Sequence, residues 1–163
     1  FSDSLDLIAS ARRVNDGMVD FVVELLEGEL GTLDGASVAV LGVAYKGNVD
    51  DARHSPGLRL VERLTAPATE ACTAAADGGR ATGGDVDIRV HDPHVKNDAI
   101  NLVDLETALT GADAAVVSAG HDVFRDIEPA EAAELMGGRV LLDGFSLLDG
   151  DAWRDAGFEY VEI

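Results

Sequence analysis

Residues 37–56 read SVAVLGVAYKGNVDDARHSP, and they decide the fold. Ser37 to Val43 (SVAVLGV) is an unbroken apolar run rich in β-branched residues. A strand with one face in water would alternate, so this pattern belongs to a strand buried on both faces. Ser55-Pro56 then offers an N-cap followed by proline at the first helical position, where the N–H it lacks has no intrahelical partner to lose. Leu58, Leu60, Val61 and Leu64 continue that helix. Buried strand, long loop and capped helix together open a parallel α/β unit.

Upstream, Gly31, Asp34 and Gly35 mark a turn, and residues 3–30 read as one long helix that Ser2 or Asp3 can cap. Leu5, Ile8, Arg12, Asn15, Met18, Val22 and Leu25 recur along it at spacings of three and four. A stripe of that length packs on a partner helix as well as on its own domain. Downstream, residues 65–85 are small and polar, a helix end plus a Gly-rich loop longer than a βα connection needs. Further strands are expected at Asp87 to His91, Asp113 to Ser118, Val140 to Asp143 and Phe158 to Glu162. Helices are expected at Leu102 to Leu109, Pro129 to Met136 and Leu147 to Ala156. Strands alternating with helices predict a Rossmann-like parallel five-stranded sheet, order 3-2-1-4-5, preceded by the long α-helix. The organisation is thus a helix over 1–30 and an α/β domain over 31–163. Ligands are expected at the carboxyl ends of the strands, near the switch point between strands 1 and 4.

Composition narrows the possibilities. The chain has 163 residues, enough for one domain with a real core, and 47% of them are hydrophobic, which rules out disorder. No apolar run approaches the roughly 18 residues of a membrane-spanning helix. Thirty-one acids against 12 Lys plus Arg give a net charge of -19, which argues against nucleic-acid and anionic-membrane partners. The acids are dispersed, Asp outnumbers Glu, and the only lysines are Lys46 and Lys96. This balance resembles the cytosolic proteins of salt-in halophiles, whose self-repulsion is screened by salt, and it predicts a cytoplasmic protein. The single cysteine, Cys72, excludes an internal disulfide and reads as a structural or exposed thiol. The chain opens at Phe1 directly into helical periodicity, and the expectation is a fragment of a longer protein.

The strand ends can be read off. Gly42 to Arg53 follows strand 1, His91-Asp92-Pro93 ends strand 2, Gly120-His121 follows strand 3, and Asp143-Gly144-Phe145-Ser146 ends strand 4. The first loop lacks G-x-G-x-x-G, so dinucleotide binding in the usual Rossmann manner is not expected of it. Lys46 at that strand tip could neutralise a phosphate or carboxylate, or pair with Asp50 or Asp51. Arg53 has the same two readings. Asn15 could fix helix register in a dimer or reach a ligand.

Taken in order, these segments resemble the C-terminal, UDP-binding domain of the UDP-glucose/GDP-mannose dehydrogenase family. VAVLGVAYKGNVDDARHSPGLRLVERL is similar to the family's V-x-x-L-G-[LF]-[AS]-[FY]-K-x-[ND]-x-x-D-x-R-x-S-P, matching at Val40 to Gly42, Ala44-Tyr45-Lys46, Asp51, Arg53 and Ser55-Pro56. HDPHV (91–95), GADAAVVSAGHDVFRDI and VLLDGFSLLD resemble its later strand-end motifs, and ARRVNDGM resembles the end of its long central helix. The resemblance covers essentially the whole chain.

It implies an enzyme that oxidises the C6 hydroxyl of a nucleotide sugar to a carboxylate in two NAD-dependent steps, with a dimer built on the long helix. An N-terminal domain holds NAD and a mid-chain cysteine forms the thioester; neither is in this sequence, and Cys72 does not match that cysteine's motif. The fragment alone is then expected to be inactive. By resemblance, Tyr45 and Lys46 contact the UDP-sugar, Arg53 reaches the NAD side of the cleft, and Asn15 belongs to the family's central-helix Asn-Asp. Many relatives carry Arg after the strand 4 Asp-Gly and hold UDP with it; Phe145 stands there in this chain. Asn15-Asp16-Gly17-Met18 and His121 look more like the UDP-N-acetylhexosamine dehydrogenases, with UDP-glucose close behind. A stand-alone nucleotide-binding module and a purely structural dimerisation domain are the competing readings.

Overall fold

The computed structural model describes residues 17–66, 85–97 and 99–163. Residues 17–30 are helical (α1). β1 (Ser37–Leu41), α2 (Pro56–Thr65), β2 (Asp87–His91), α3 (Leu105–Leu109), β3 (Ala114–Val117), a 3-10 turn (Asp122–Asp126), α4 (Pro129–Leu135), β4 (Val140–Asp143), α5 (Gly150–Asp155) and β5 (Glu159–Glu162) follow. All strand pairs are parallel. The expected α/β, Rossmann-like five-stranded sheet is borne out.

Numbered along the chain, the order is β2-β1-β3-β4-β5, so the switch point lies between β1 and β3. The place outside β2 that a Rossmann half gives to its third strand holds only a single bridge, Val90 with Leu102. β3 and β4 thus stand where the order 3-2-1-4-5 puts its fourth and fifth strands, and β5 extends the sheet. Burial explains the arrangement. Ala114–Val117 is buried at every position and needs neighbours on both sides, whereas β2 leaves Asp87 exposed and suits an edge.

The sheet separates two apolar layers. Val38, Val40, Val90, Val116 and Leu142 face α1 and α2; Ala39, Leu41, Ala115, Val117 and Leu141 face α3, Phe124, α4 and α5. On α1 the buried stripe is Val19, Val22, Val23 and Leu26, whereas Met18 points outward, one position off the expected stripe. Burying Val23 and Leu26 fully contributes about 2 kcal/mol each. Asn15, Cys72 and residues 67–84 lie outside the described residues.

Local signals explain the helix starts. Ser55 Oγ accepts from the Leu58 N–H at 3.0 Å, with Pro56 as the first helical residue. Gly57 then lets α2 approach the β1 tip: a Cβ there would lie 2.5 Å from the Gly42 carbonyl oxygen. Two helices are shorter than expected, because Asp104 and Asp149 act as N-caps inside the segments proposed as helical. Among the described residues, no helix is long and apolar enough to cross a membrane.

Candidate functional site

The carboxyl ends of β1, β2 and β3 converge on one buried carboxylate. Asp92, just past β2, accepts the N–H groups of Val43 and Ala44 on Oδ2 (2.7 and 3.0 Å) and those of His94 and Val95 on Oδ1 (both 2.9 Å). His121 Nε2 lies 3.0 Å from the same Oδ2, with both side chains fully out of solvent. Burial pushes the Asp92 pKa up, but the N–H groups of Val95, His94 and Val43, joined by His121, outweigh it and hold the group below its ordinary value. The group therefore stays an acceptor, and one side chain ties the tips of three strands together.

His121 carries the connection onward. Its Nδ1 accepts the Asn48 backbone N–H at 2.9 Å. A backbone amide can only donate, so Nδ1 is bare, the proton sits on Nε2, and the ring donates to Asp92. Asn48 adds a reciprocal pair: its amide nitrogen donates to Asp122 Oδ2 at 2.7 Å, and the Asp122 N–H donates to Asn48 Oδ1 at 3.1 Å. The loop lies tight against this turn; a Cβ on Gly47 would sit 2.0 Å from the Gly120 carbonyl oxygen. Asn48 takes a left-handed φ of 60°, which Asn tolerates better than most residues.

Tyr45 and Lys46 project from this pinned loop. The Tyr45 N–H closes the loop onto the Asp51 carbonyl at 2.7 Å, and its side chain is 55% exposed. Lys46 is exposed and forms no ion pair with any described residue, so the pairing with Asp50 or Asp51 is not realised there. Phe145, 47% exposed at the β4 tip, reaches the same surface: a Cβ on Gly120 would come within 3.2 Å of its ring. Gly47 against Gly120, and Gly120 against Phe145, thus set the loop that bears Tyr45 and Lys46 beside the β4 tip.

Arg53 lies on the other arm of the loop and realises its charge-pairing reading. Its Nε and Nη2 meet the two Asp51 oxygens at 2.9 and 2.7 Å. The bidentate contact from the Arg53 side chain holds the Asp51 carboxyl down at about 2. Beside them a depression of about 240 Å³ is lined by Ala52, Arg53, Leu58, Val95, Lys96 and neighbouring polar groups. A second depression, of about 320 Å³, lies at the β4-β5 end among Asp149, Asp151, Arg154 and Glu162.

The β4 tip has its own buried carboxylate. Asp143 accepts the N–H groups of Phe145, Leu147 and Leu148 and the Tyr160 hydroxyl (2.8 Å). Among the described residues, every buried side-chain polar atom has a partner and no trio of His, Cys, Asp or Glu is placed to hold a metal ion. Asn48 and the bonding roles of Asp92 and His121 escaped the sequence reading, although Asp92-Pro93 and His121 both lie in strand-end motifs quoted from it.

Comparison with known proteins gives a consistent result. The model of the UDP-glucose/GDP-mannose dehydrogenase family, UDP binding domain, matches residues 39–150. A UDP-N-acetyl-D-mannosamine dehydrogenase of Methanocaldococcus jannaschii is 30% identical over 161 residues, covering 97% of this chain and 34% of that protein. A UDP-glucose 6-dehydrogenase of Bacillus subtilis is 26% identical over 97% of this chain and 34% of its own length. Among solved structures, an NDP-N-acetyl-D-galactosaminuronic acid dehydrogenase of Methanosarcina mazei superimposes with a TM-score of 0.76 at 29% identity, over 95% of this chain and 31% of that one. The chain spans about a third of the length of the relatives it matches.

Proposed function

The chain belongs to the UDP-glucose/GDP-mannose dehydrogenase family, of which it carries the UDP binding domain, and we propose that it serves an NAD-dependent nucleotide-sugar 6-dehydrogenase by holding the UDP-sugar. The observation that carries this reading is the exposed Lys46, without an ion pair among the described residues, on a loop pinned at the switch point of a chain with net charge -19. A diphosphate approaching such a surface meets repulsion nearly everywhere else. Lys46 supplies the compensating charge, and Tyr45 supplies an aromatic face with a hydroxyl for the sugar. Phe145, standing where many relatives have Arg, offers an apolar wall and no charge, which concentrates the electrostatic task on Lys46. Asn15, which matches the family's Asn-Asp motif, is assigned to the sugar or to dimer packing.

The reaction removes two hydride equivalents from the C6 alcohol and adds a water oxygen to give the uronate. NAD supplies the oxidising power. The β1 loop of this chain does not fit that cofactor as a resident: it lacks the glycine pattern, and Gly57 already packs α2 against the Gly42 carbonyl. NAD and the thioester-forming cysteine are assigned to another part of the enzyme, and the domain alone is inactive. Arg53, at the exposed outer arm, is assigned to the NAD side of the closed cleft, exchanging Asp51 for the cofactor's phosphates.

UDP-N-acetylhexosamines are the favoured substrates and UDP-glucose the second, on the strength of His121, the Asn15-to-Met18 motif and the relatives named above. The product is a uronate precursor for polysaccharide made in the cytoplasm. Met18 (43% exposed) and Phe21 (47% exposed) favour association of two copies through α1. Calorimetric titration with UDP tests the central claim. Lys46→Ala is expected to weaken binding by about tenfold or more, the scale of a lost charge-assisted contact. Unchanged affinity would overturn it.

A further inference from the structure

The loop that bears Tyr45 and Lys46 has little apolar anchorage of its own beyond Val43, Ala44 and Ala52, since Tyr45, Val49 and Asp50 all face solvent. Its midpoint is instead fastened by hydrogen bonds to the turn after β3, and the central one ends on an imidazole. His121 is fully buried, packed edge-on against Phe124 at 5.4 Å and beside the His94 ring at 4.8 Å. Both ring nitrogens are in use, one donating to Asp92 and one accepting from Asn48, two residues beyond Lys46. Asp92 also bonds the Val43 and Ala44 amides on the near side of Tyr45. The Tyr45-Lys46-Gly47 segment is therefore gripped at both ends by one Asp92–His121 pair.

We propose that His121, in its Nε2–H form between Asp92 and the Asn48 backbone, is a positioning residue that sets the Lys46 loop for the diphosphate. It touches no ligand. It acts by presenting a bare Nδ1 lone pair at a fixed point, which selects one loop conformation and leaves Lys46 no backbone freedom to lose when ligand arrives. An apolar ring would fill the same space but leave the Asn48 N–H free to seek water. Glutamine can span the two contacts, its amide nitrogen toward Asp92 and its oxygen toward Asn48. The assignment rests on Lys46 contacting UDP, so the test is built to separate the two.

UDP affinity is measured by calorimetry on the full-length polypeptide for wild type, Lys46→Ala, His121→Phe, His121→Gln and the double variant Lys46→Ala/His121→Phe. His121→Phe is expected to weaken UDP binding about tenfold, and His121→Gln to recover most of that loss. In the Lys46→Ala background, His121→Phe is expected to change affinity by less than about twofold, because the loop then positions nothing. An equal penalty in both backgrounds, or no penalty in wild type while Lys46→Ala weakens binding, overturns the positioning role and leaves the Lys46 reading standing. Unchanged affinity in Lys46→Ala sinks both. Should His121→Phe fail to fold, the ¹⁵N shifts of the wild-type ring decide: a bare Nδ1 with protonated Nε2 supports the assignment, and a protonated Nδ1 overturns it.

Discussion

Two buried aspartates stand at strand tips, and they do different things. Asp92 collects four backbone N–H groups drawn from the β1 and β2 ends, plus the His121 ring from the turn after β3. Asp143 collects three backbone N–H groups from the five residues that follow it, plus the Tyr160 hydroxyl from β5. The first knot is long-range, with partners 29 to 49 positions away among its contacts. The second is nearly local. The partner side chain also differs. The Tyr160 hydroxyl donates to Asp143, and its one further contact is at 3.5 Å to the Leu148 carbonyl. An imidazole has a second nitrogen and passes the constraint on to Asn48. The same carboxylate chemistry thus closes a local turn in one place and orders the Tyr45-Lys46 loop in the other.

Breaking the long-range knot is expected to have the largest effect. Asp92→Ala leaves four N–H groups, three of them buried, and His121 without their acceptor, and a loss of about 3–5 kcal/mol in unfolding free energy is expected, read by denaturant titration. A loss under about 1 kcal/mol would show that water replaces the carboxylate and that the two knots are equivalent. The same group gives acid sensitivity. Its folded-state pKa lies below the ordinary 3.8, so its contribution is full above that value and disappears as pH falls through the folded value. An acid limb in the stability profile that Asp92→Asn flattens is the expected result.

Breaking the local knot is expected to matter less. Tyr160→Phe removes one hydroxyl contact, with an expected cost of about 1–1.5 kcal/mol and no change in UDP affinity. Burial first, then the hydrogen bond to Asp143, hold the Tyr160 phenol protonated above its ordinary 10.0. A raised folded-state value means that its contribution is full below pH 10.0 and is lost as pH rises through the folded value. The variant should therefore flatten the alkaline limb and leave the acid limb intact.

Salt separates both knots from the surface. We read the -19 charge as an adaptation to salt, so the thermal midpoint is expected to rise from dilute buffer to molar KCl, followed by calorimetry. The penalty of Asp92→Ala should be the same in both media, since screening does not reach a dry carboxylate. The smallest effect belongs to Arg53→Ala. Its ion pair with Asp51 is exposed and screened by solvent, and no resolvable change in the denaturation midpoint is expected. A turnover defect in the full-length enzyme with that stability unchanged would favour the cofactor-side assignment of Arg53.

Much of the fold was legible because its signals are local. Ser37 to Val43 announces a doubly buried strand, and Ser55-Pro56 announces a helix start, each through residues in direct covalent sequence. The place of β3 was harder to read. Which side of β1 a later strand joins depends on edges and buried faces spread over 80 residues of chain, and only the full burial of Ala114–Val117 against the exposed Asp87 edge discriminates. In the site, Lys46 stands out by type and position and Tyr45 by the family motif, whereas Asn48 looks like any loop residue until its partner 73 positions away is known.

Composition and pattern alone therefore determined a parallel α/β domain with Lys46 and Arg53 on the loop after its first strand, because burial periodicity and capping are properties of neighbouring residues; Tyr45 and Phe145 entered only through the family resemblance. Tertiary structure alone decided that Arg53 spends its charge on Asp51 while Lys46 stays open, and that a buried Asp92–His121 pair fixes the loop between them. Hydrogen bonds and ion pairs are settled by distance in space, and the order of residues along a chain does not contain that distance until the chain has folded.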